Sequence, residues 1–277
     1  MPELPEVETI RRTLEQLVVG RTITDLTVYY PGIIKEPDDQ NQFRTVLSGQ
    51  KIESIDRLGK FLLFQLTDDV LVSHLRMEGK YGVYSRDASI EPHTHMCFHL
   101  DDNKELRYKD VRKFGTMHVK PKGTELTTPP ISKLGVEPFS EAFTVDYLYD
   151  RLQKTTRLIK PTLLDQSIVT GLGNIYVDEV LYYSRLHPER VAHTITYQEC
   201  EALHHAIVTV LTRAIEKGGT SIRTYLNSIG EIGLFQLELA VYDQTDQPCV
   251  SCHQPIVKTK IGGRGTHFCP NCQPMTE

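Results

Sequence analysis

Apolar residues recur at helical spacing close to the start of the chain. They are Val7, Ile10, Leu14, Leu17 and Val18. Pro5 suits the first turn of a helix, and the acidic start at Glu3, Glu6 and Glu8 complements the positive end of the helix dipole. The pattern predicts one amphipathic helix that ends near Gly20, a residue type that favours the position after a helix.

From residue 21 to about 119 the pattern changes to short alternating or β-rich runs. Turn residues separate these runs at roughly even spacing, which is typical of a β-sandwich or barrel rather than a parallel α/β sheet. The predicted strands are residues 23–30, 51–57, 61–66, 70–75, 81–84, 96–100, 105–108 and 116–119.

The second half of the chain is predicted to be helical. A Thr-, Pro- and Gly-rich stretch at 124–139 is the expected linker. Helices are predicted at 144–154, around 163–169, at 175–185 and at 197–217. The helix at 175–185 follows a tight glycine turn at 170–174, so it and the helix before the turn make a helix–turn–helix unit. Backbone N–H groups at this turn could bind an anion. Thr196 and Glu199 form a capping box for the longest helix, Gly218 and Gly219 end it, and a polar loop follows at 220–234.

Composition and charge narrow the class of protein. The 277 residues fit two domains with an appendage, the net charge is −5 and the sequence pI is about 6.1. This balance argues mildly against nucleic acid as a partner, but residues 104–122 carry seven basic and two acidic side chains, so a local basic face stays possible. No apolar run reaches membrane-spanning length, and we expect a cytoplasmic protein.

The six cysteines fall into two groups. Cys97 and Cys200 lie alone in apolar segments and are expected to be buried small hydrophobic residues. The other four form two Cys-x-x-Cys pairs separated by sixteen residues: Cys249, Cys252, Cys269 and Cys272. This spacing predicts one structural zinc ion held by four thiolates at a short β-hairpin. The charged residues between the pairs are all basic, so the hairpin could brace the fold or contact DNA.

The first residues offer a candidate nucleophile. Initiator methionine is normally removed before a small residue such as Pro2, which would leave a secondary amine beside Glu3. An α-amino group titrates near pH 7.7–8.0, so roughly a tenth or more is unprotonated at pH 7. Condensed with a sugar aldehyde carbon it would form an iminium, the electron sink that covalent amine catalysis requires. Taken alone, Pro2 and Pro5 are more simply interpreted as helix-start residues.

These motifs occur together in one known family. The chain resembles the bacterial formamidopyrimidine-DNA glycosylases over essentially its whole length. The motifs that carry the resemblance are Pro2-Glu-Leu-Pro-Glu-Val-Glu-Thr9, Lys109-Asp-Val-Arg-Lys-Phe-Gly115, Gly171-Leu-Gly-Asn-Ile-Tyr176, Gly218-Gly-Thr-Ser221 and the cysteine hairpin. The resemblance implies an α+β multidomain fold. It comprises an N-terminal β-sandwich with an N-terminal helix (1–130), a helix–two-turn–helix domain (131–240) and a zinc ribbon (241–277).

The resemblance also implies a reaction. Pro2 would attack C1′ of a flipped-out damaged purine nucleotide, and Glu3 would act as proton donor at the sugar. Lys60 would assist elimination of the 3′ phosphate, and Arg264 would assist elimination of the 5′ phosphate. The activity would be that of a bifunctional glycosylase and abasic-site lyase acting on 8-oxoguanine and formamidopyrimidines in base excision repair.

Further residues would contact DNA in a member of this family. Met77, Arg112 and Phe114 would fill the space left by the flipped nucleotide, Asn174 would hold a backbone phosphate, and His93 would be a further contact. The loop 220–234, together with Glu78, would recognise the lesion. The expected partner is damaged double-stranded DNA, and we expect a monomer with no membrane contact and no organic cofactor.

The chain departs from the usual family pattern at several positions. They are Thr224, Glu231-Ile232, the Tyr242-Asp-Gln244 tract and His253. Two alternatives stay open: an endonuclease VIII-like enzyme acting on oxidised pyrimidines, and a non-catalytic zinc-ribbon DNA-binding protein. Leu4, the segment 7–9, Arg112 and Phe114 favour the purine-lesion branch.

Overall fold

The computed structural model describes residues 1–220 and 233–275. The chain forms two compact units. The first is Met1–Ser132 with Gly218–Gly233, and the second is Lys133–Lys217 with Leu234–Glu277. Domain boundaries after residues 130 and 240 stay predictions. Within the described residues, no helix has both the length and the apolar character needed to cross a membrane.

The first unit is mainly β structure preceded by a helix. In chain order its elements are α1 (Leu4–Val18), β1 (Ile23–Val28), β2 (Ile34–Glu36), α2 (Gln40–Leu47), β3 (Ile52–Leu58), β4 (Phe61–Leu66), β5 (Asp69–His74), β6 (Lys80–Ser85), β7 (Thr94–Leu100), β8 (Lys104–Lys109) and β9 (Thr116–Pro121). A short 3₁₀ helix, Pro31–Ile33, precedes β2.

These strands form two sheets around one apolar core. The five-stranded sheet has the order β2-β9-β5-β4-β3, and the four-stranded sheet has the order β1-β7-β8-β6. Neighbours are antiparallel except β2 and β9, which are parallel. Phe64 from one sheet, Phe98 from the other and Leu14 from α1 share the core and are at most 1 % exposed. Burying each such side chain contributes about 1.5–3 kcal/mol. Because the two sheets share one core, the structure confirms the sandwich that the alternating pattern predicts.

Local sequence explains the position of α1. Glu3 is the N-cap, its backbone N–H donates to the Glu6 carboxylate at 2.8 Å, and Pro5 occupies the first turn. Val19 is the C-cap, and Gly20 follows with φ 86°, the left-handed conformation that glycine adopts most easily. The predicted apolar stripe is buried along Val7, Ile10, Leu14 and Val18.

Two elements of the first unit carry too weak a signal to be predicted. Helix α2 buries only Phe43 and Leu47, and two apolar positions do not establish a period. Its N-cap, Asp39, accepts from the Gln42 N–H at 2.7 Å. Strand β2 has three residues and depends on its pairing with β9. Tertiary contacts therefore decide both elements.

The second unit is helical and ends in a β-hairpin. Its elements are α3 (Val145–Gln153), α4 (Ile159–Leu163), α5 (Asn174–Tyr183), α6 (Tyr197–Glu216), β10 (Val257–Ile261) and β11 (Arg264–Phe268), with 3₁₀ turns at Ile131–Lys133, Ala192–Thr194 and Phe235–Glu238. Both α3 and α5 pack against α6. The capping box of Thr196 and Glu199 is confirmed.

The helix predicted around 163–169 is wrong. Helix α4 ends at Leu163, and an irregular segment leads to the turn before α5. The Gln166 side chain donates to the carbonyls of Leu164 (3.0 Å) and Leu172 (2.8 Å) and accepts from the Gly171 N–H (2.9 Å). The apolar residues here are buried, as predicted, but side-chain hydrogen bonds replace the helical ones.

Candidate functional site

Strand register brings several candidate positions of the first unit to one edge of the sandwich. Phe61 pairs with His74 across β4 and β5, and His74 pairs with Thr116 across β5 and β9. The turn before β4, the loop after β5 and the loop before β9 therefore lie at the same end of the five-stranded sheet. These three connections carry Lys60, Met77 and the pair Arg112 and Phe114.

The start of α1 holds the candidate nucleophile and proton donor. Pro2 is buried and Glu3 is 2 % exposed, whereas Met1 is 47 % exposed. The Glu6 carboxylate accepts from the Glu3 N–H and also from the backbone N–H (2.8 Å) and hydroxyl (3.2 Å) of Thr220. Glu6 thus fastens Pro2 and Glu3 to the first residue of the loop 220–234, of which residues 221–232 lie outside the described part. This role of Glu6 was not predicted, although its place in the capping box was a usable signal.

Lys60 lies in the β3–β4 turn and is 6 % exposed, whereas most lysines are exposed. An arginine links this turn to α1. Arg57 donates to the Gly59 carbonyl at 3.0 Å and to the Glu8 carboxylate at 3.1 Å. The turn that carries Lys60 and the helix that begins beside Pro2 are therefore joined through a buried ion pair.

His74 ends β5 at the same edge and was not among the predicted site residues. Burial, together with the positive charges of Arg76 and Lys60, lowers the pKa of His74 to about 3. The imidazole is thus neutral at physiological pH. Its Nδ1 accepts from the Arg76 backbone N–H at 2.9 Å, and its ring packs edge-on against Phe61 at 4.4 Å. Its position at a strand end is the only signal that the sequence offers.

The loop side chains at this edge are partly or fully exposed. Met77 is half-buried, and Phe114 is 51 % exposed with the Arg112 guanidinium 4.8 Å from its ring centroid. His93 is exposed and precedes β7, with φ 64°. Lys109, the last residue of β8, pairs with Lys80 at the start of β6 and with Thr94 at the start of β7. His93 therefore lies at the end of the four-stranded sheet where the Met77 loop enters β6. An exposed ring stacked on a guanidinium is a surface suited to contacting bases.

The basic stretch 104–122 is largely neutralised within the fold. Five of its seven basic side chains are paired with carboxylates: Lys104 with Asp102, Arg107 with Glu105, Lys109 with Glu91, Lys120 with Glu36 and Lys122 with Glu53. Arg112 and Lys113 lie instead over the rings of Phe114 and Tyr30. The local basic face that the sequence leaves possible is therefore reduced to the loop before β9.

In the second unit, Asn174 contacts the backbone of the residue that follows Arg264. Asn174 begins α5 after the glycine turn, and its Nδ2 donates to the Gly265 carbonyl at 2.9 Å. The exposed Arg264 begins β11 and immediately precedes that carbonyl. Asn174, the candidate phosphate contact, thus lies beside the backbone next to Arg264, the candidate for the second elimination, although ninety positions separate them in the chain.

A buried ion pair supports this arrangement. Lys160 Nζ lies 2.6 Å from an Asp178 carboxylate oxygen, both side chains are 0 % exposed, and Nζ also donates to the Gly265 carbonyl at 3.0 Å. Asp178 in turn accepts from the His267 N–H at 2.9 Å. The pair fastens β11 to α4 and α5, and it was not predicted because the sequence does not distinguish a buried lysine from a surface one.

The four C-terminal cysteines have the arrangement of a zinc site. Their Sγ atoms all lie within 4.8 Å of one another, with Cys249 and Cys272 at 3.8 Å and Cys252 and Cys269 at 3.4 Å. Tetrahedral zinc with bonds of about 2.3 Å would place its sulfurs about 3.8 Å apart. The donor set fits one structural zinc ion and leaves no open coordination position.

The remaining cysteines behave as predicted. Cys97 is 1 % exposed and Cys200 is 0 % exposed. Burial raises the pKa of each thiol to about 12, so neither is a reactive thiolate at neutral pH. Both are small core residues.

Profiles of known families match three successive parts of the chain. The Formamidopyrimidine-DNA glycosylase N-terminal domain matches residues 1–117, and the Formamidopyrimidine-DNA glycosylase H2TH domain matches residues 134–226. A zinc finger found in FPG and IleRS matches residues 246–274. Together these matches span more than half of the chain.

Similar proteins and structures agree with these profiles. Formamidopyrimidine-DNA glycosylases of Cytobacillus firmus and Shouchella clausii are each 58% identical over 99% of this chain, covering 100% and 99% of their own lengths. A crystal structure of a Lactococcus lactis FPG mutant in complex with Fapy-dG-containing DNA has a TM-score of 0.94 and 43% identity. It covers 99% of this chain and 100% of that one. A complex of the Lactococcus lactis enzyme with abasic-site DNA has a TM-score of 0.93, with the same identity and coverage.

Proposed function

The chain belongs to the formamidopyrimidine-DNA glycosylase family, and we propose that it excises oxidised purines from duplex DNA and then cleaves the strand. It is a DNA glycosylase of base excision repair with the abasic-site lyase activity typical of the family. Its partner is damaged double-stranded DNA, and its metal is one structural zinc ion. We further propose that it works as a cytoplasmic monomer without an organic cofactor.

The first chemical step follows from the start of α1. After removal of Met1, the Pro2 nitrogen attacks C1′ and the bond from C1′ to the base breaks. The base leaves with the bonding electron pair and takes up the proton that the Pro2 nitrogen loses. Glu3 protonates the ring oxygen as the sugar opens, which leaves an iminium between Pro2 and C1′. The helix start supports these roles, because the Glu6 carboxylate accepts from the Glu3 backbone N–H and so fixes the chain beside Pro2.

The iminium then drives strand cleavage. It acidifies C2′, and loss of that proton expels the 3′ phosphate. A second elimination expels the 5′ phosphate. Lys60 serves the first elimination and Arg264 the second. Burial of Lys60 at 6 % exposure supports a role beyond solubility, since lysine is seldom buried without a specific partner or task.

The remaining candidate residues bind DNA. Met77, Arg112 and Phe114 fill the space of the flipped nucleotide, and His93 and Asn174 contact the backbone. Four cysteines hold the zinc ion: Cys249, Cys252, Cys269 and Cys272. The ion folds the hairpin that carries Arg264 and takes no part in the reaction.

One observation carries this proposal. Strand register places Lys60, Met77, Arg112 and Phe114 at one edge of the sandwich, and Arg57 joins that edge to the helix that begins beside Pro2. A nucleophile, a proton-transfer group and void-filling side chains are needed at the same nucleotide. Their grouping at one edge therefore supports catalysis at one nucleotide.

Excision kinetics on matched duplexes test the assignment. We expect faster release of 8-oxoguanine and formamidopyrimidine opposite cytosine than of thymine glycol from the same sequence. Clear preference for thymine glycol would assign the chain to the pyrimidine-lesion branch. Duplex binding without release of any base, in zinc-loaded protein that lacks Met1, would support the non-catalytic alternative.

A further inference from the structure

Asp110 organises the loop that carries Arg112 and Phe114. Its carboxylate is 1 % exposed and accepts from the backbone N–H groups of Arg112 (3.1 Å), Phe114 (2.9 Å) and Gly115 (2.8 Å). The Tyr108 hydroxyl donates to the same carboxylate at 3.3 Å. The loop has no regular secondary structure, and the buried Asp110 side chain supplies the acceptors that its backbone N–H groups need.

The backbone of Asp110 is held as well. Its carbonyl accepts from the buried His95 Nε2 at 2.7 Å and from the Lys113 N–H at 3.3 Å. Its own N–H donates to the His93 carbonyl at 3.0 Å. All polar groups of Asp110 are thus engaged, and the connection that precedes β7 is tied to the loop that precedes β9.

The Tyr108 hydroxyl lies between this loop and the one that carries Met77. A Cβ atom added at Gly115 would lie 1.7 Å from the hydroxyl oxygen, and one added at Gly79 would lie 2.4 Å from it. Gly79 closes the Met77 loop, since its N–H donates to the Leu75 carbonyl at 3.0 Å. Both loops therefore contact one oxygen atom, and each does so with a glycine because no side chain fits.

We propose that Asp110 and Tyr108 are positioning residues that lock the two loops together, so that Met77, Arg112 and Phe114 enter the DNA as one preformed unit. This inference rests on the proposed function. The hydrogen bonds to Asp110 hold the loop in one conformation, with the Arg112 guanidinium 4.8 Å from the centroid of the exposed Phe114 ring. Order present before binding lowers the conformational entropy lost on association.

The role predicts a specific defect. In Asp110→Asn the single amide oxygen cannot replace both carboxylate oxygens, so at least one loop N–H loses its acceptor. In Tyr108→Phe the contact shared by the two loops is lost, while Asp110 keeps its backbone bonds. We expect kcat/KM for 8-oxoguanine opposite cytosine to fall about tenfold in each variant, as for loss of one hydrogen bond to a charged group. Because Arg112 would hydrogen-bond the cytosine left unpaired, the preference for cytosine over adenine opposite the lesion should shrink as well.

Tyr81→Phe is the matched control. Tyr81 is a buried tyrosine of the same core, its ring centroid is 5.1 Å from that of Tyr108, and its hydroxyl bonds to Ser73 at 2.8 Å. Its removal costs a comparable buried hydrogen bond without touching either loop. Excision and opposite-base preference should therefore stay within about twofold of the unmutated protein.

Borohydride trapping on single-stranded abasic DNA separates positioning from general damage. That substrate has no opposite base and no vacated stack, so Asp110→Asn and Tyr108→Phe should trap at the unmutated rate. The inference is overturned if both variants keep full excision and opposite-base preference, if Tyr81→Phe behaves like Tyr108→Phe, or if trapping falls as far as excision. Absence of excision and trapping by the unmutated protein would overturn the proposed function itself.

Discussion

The buried pair of Lys160 and Asp178 should dominate the stability of the second unit. Both side chains are 0 % exposed and 2.6 Å apart, and Lys160 also donates to the Gly265 carbonyl. Lys160→Met keeps most of the apolar length of the side chain but leaves the Asp178 carboxylate buried without the Lys160 ammonium. Breaking such a pair costs about 3–5 kcal/mol.

A double substitution tests the reason for that cost. In Lys160→Met combined with Asp178→Asn neither buried charge remains, so the loss of unfolding free energy should be smaller than the sum of the single losses by about 2 kcal/mol or more. Lys154→Met is the control. Lys154 and Asp150 have the same 2.6 Å separation, but their side chains are 66% and 57% exposed. Lys154→Met should change the free energy of unfolding by about 0.5 kcal/mol or less.

The assay is equilibrium urea unfolding at a fixed free zinc concentration, followed by far-ultraviolet circular dichroism and by zinc release. Helical ellipticity reports mainly on the second unit because α3 to α6 lie there. A loss for Lys160→Met no larger than that for Lys154→Met, or a double variant that loses the full sum of the single losses, would contradict the stabilising role of the buried ion pair.

Three further predictions concern pH, zinc and product. His74 has a pKa of about 3 in the fold against 6.5 in the unfolded chain. The free energy of unfolding should therefore fall as the pH drops below 6.5, by about 2 kcal/mol at pH 5. His74→Gln should reduce that pH dependence, measured by urea unfolding at several pH values. Cys272→Ser should weaken zinc retention and duplex binding while the β-sandwich dichroism persists, and full duplex affinity in zinc-free protein would contradict the structural role. Arg264→Ala should halt cleavage after the first elimination, seen on gels as an unsaturated aldehyde terminus in place of a 3′ phosphate, whereas the nearby exposed Lys258→Ala should yield the phosphate.

Elements set by local pattern could be predicted from the sequence. The first helix, the main strands and the capped helix α6 follow from periodicity and from capping residues a few positions apart. The irregular segment after Leu163 could not be predicted, because the spacing of its apolar residues resembles that of a helix. The Gln166 side chain, rather than helical hydrogen bonding, pairs with the backbone groups of this segment. Helix α2 and strand β2 depend on partners that the local sequence does not specify.

The candidate site also contains residues that the sequence identifies and residues that it does not. Motifs identify the side chains that we propose contact the DNA, such as Arg112 and Phe114, because their chemistry is specific. The groups that hold those side chains are harder to find. Asp110 becomes a hub only when the loop folds around it, and Lys160 meets Asp178 only when two helices pack. Such residues can be identified only from the three-dimensional structure.

The central claim is that the Pro2 amine forms a covalent intermediate with DNA. Its most direct test is borohydride trapping on a duplex with 8-oxoguanine opposite cytosine, followed by mass mapping of the cross-linked peptide. We predict one cross-link, at the N-terminal proline, and none in protein that retains Met1, because an acylated nitrogen is not nucleophilic. A cross-link at Lys60 or another lysine, or efficient trapping with Met1 present, would contradict the account.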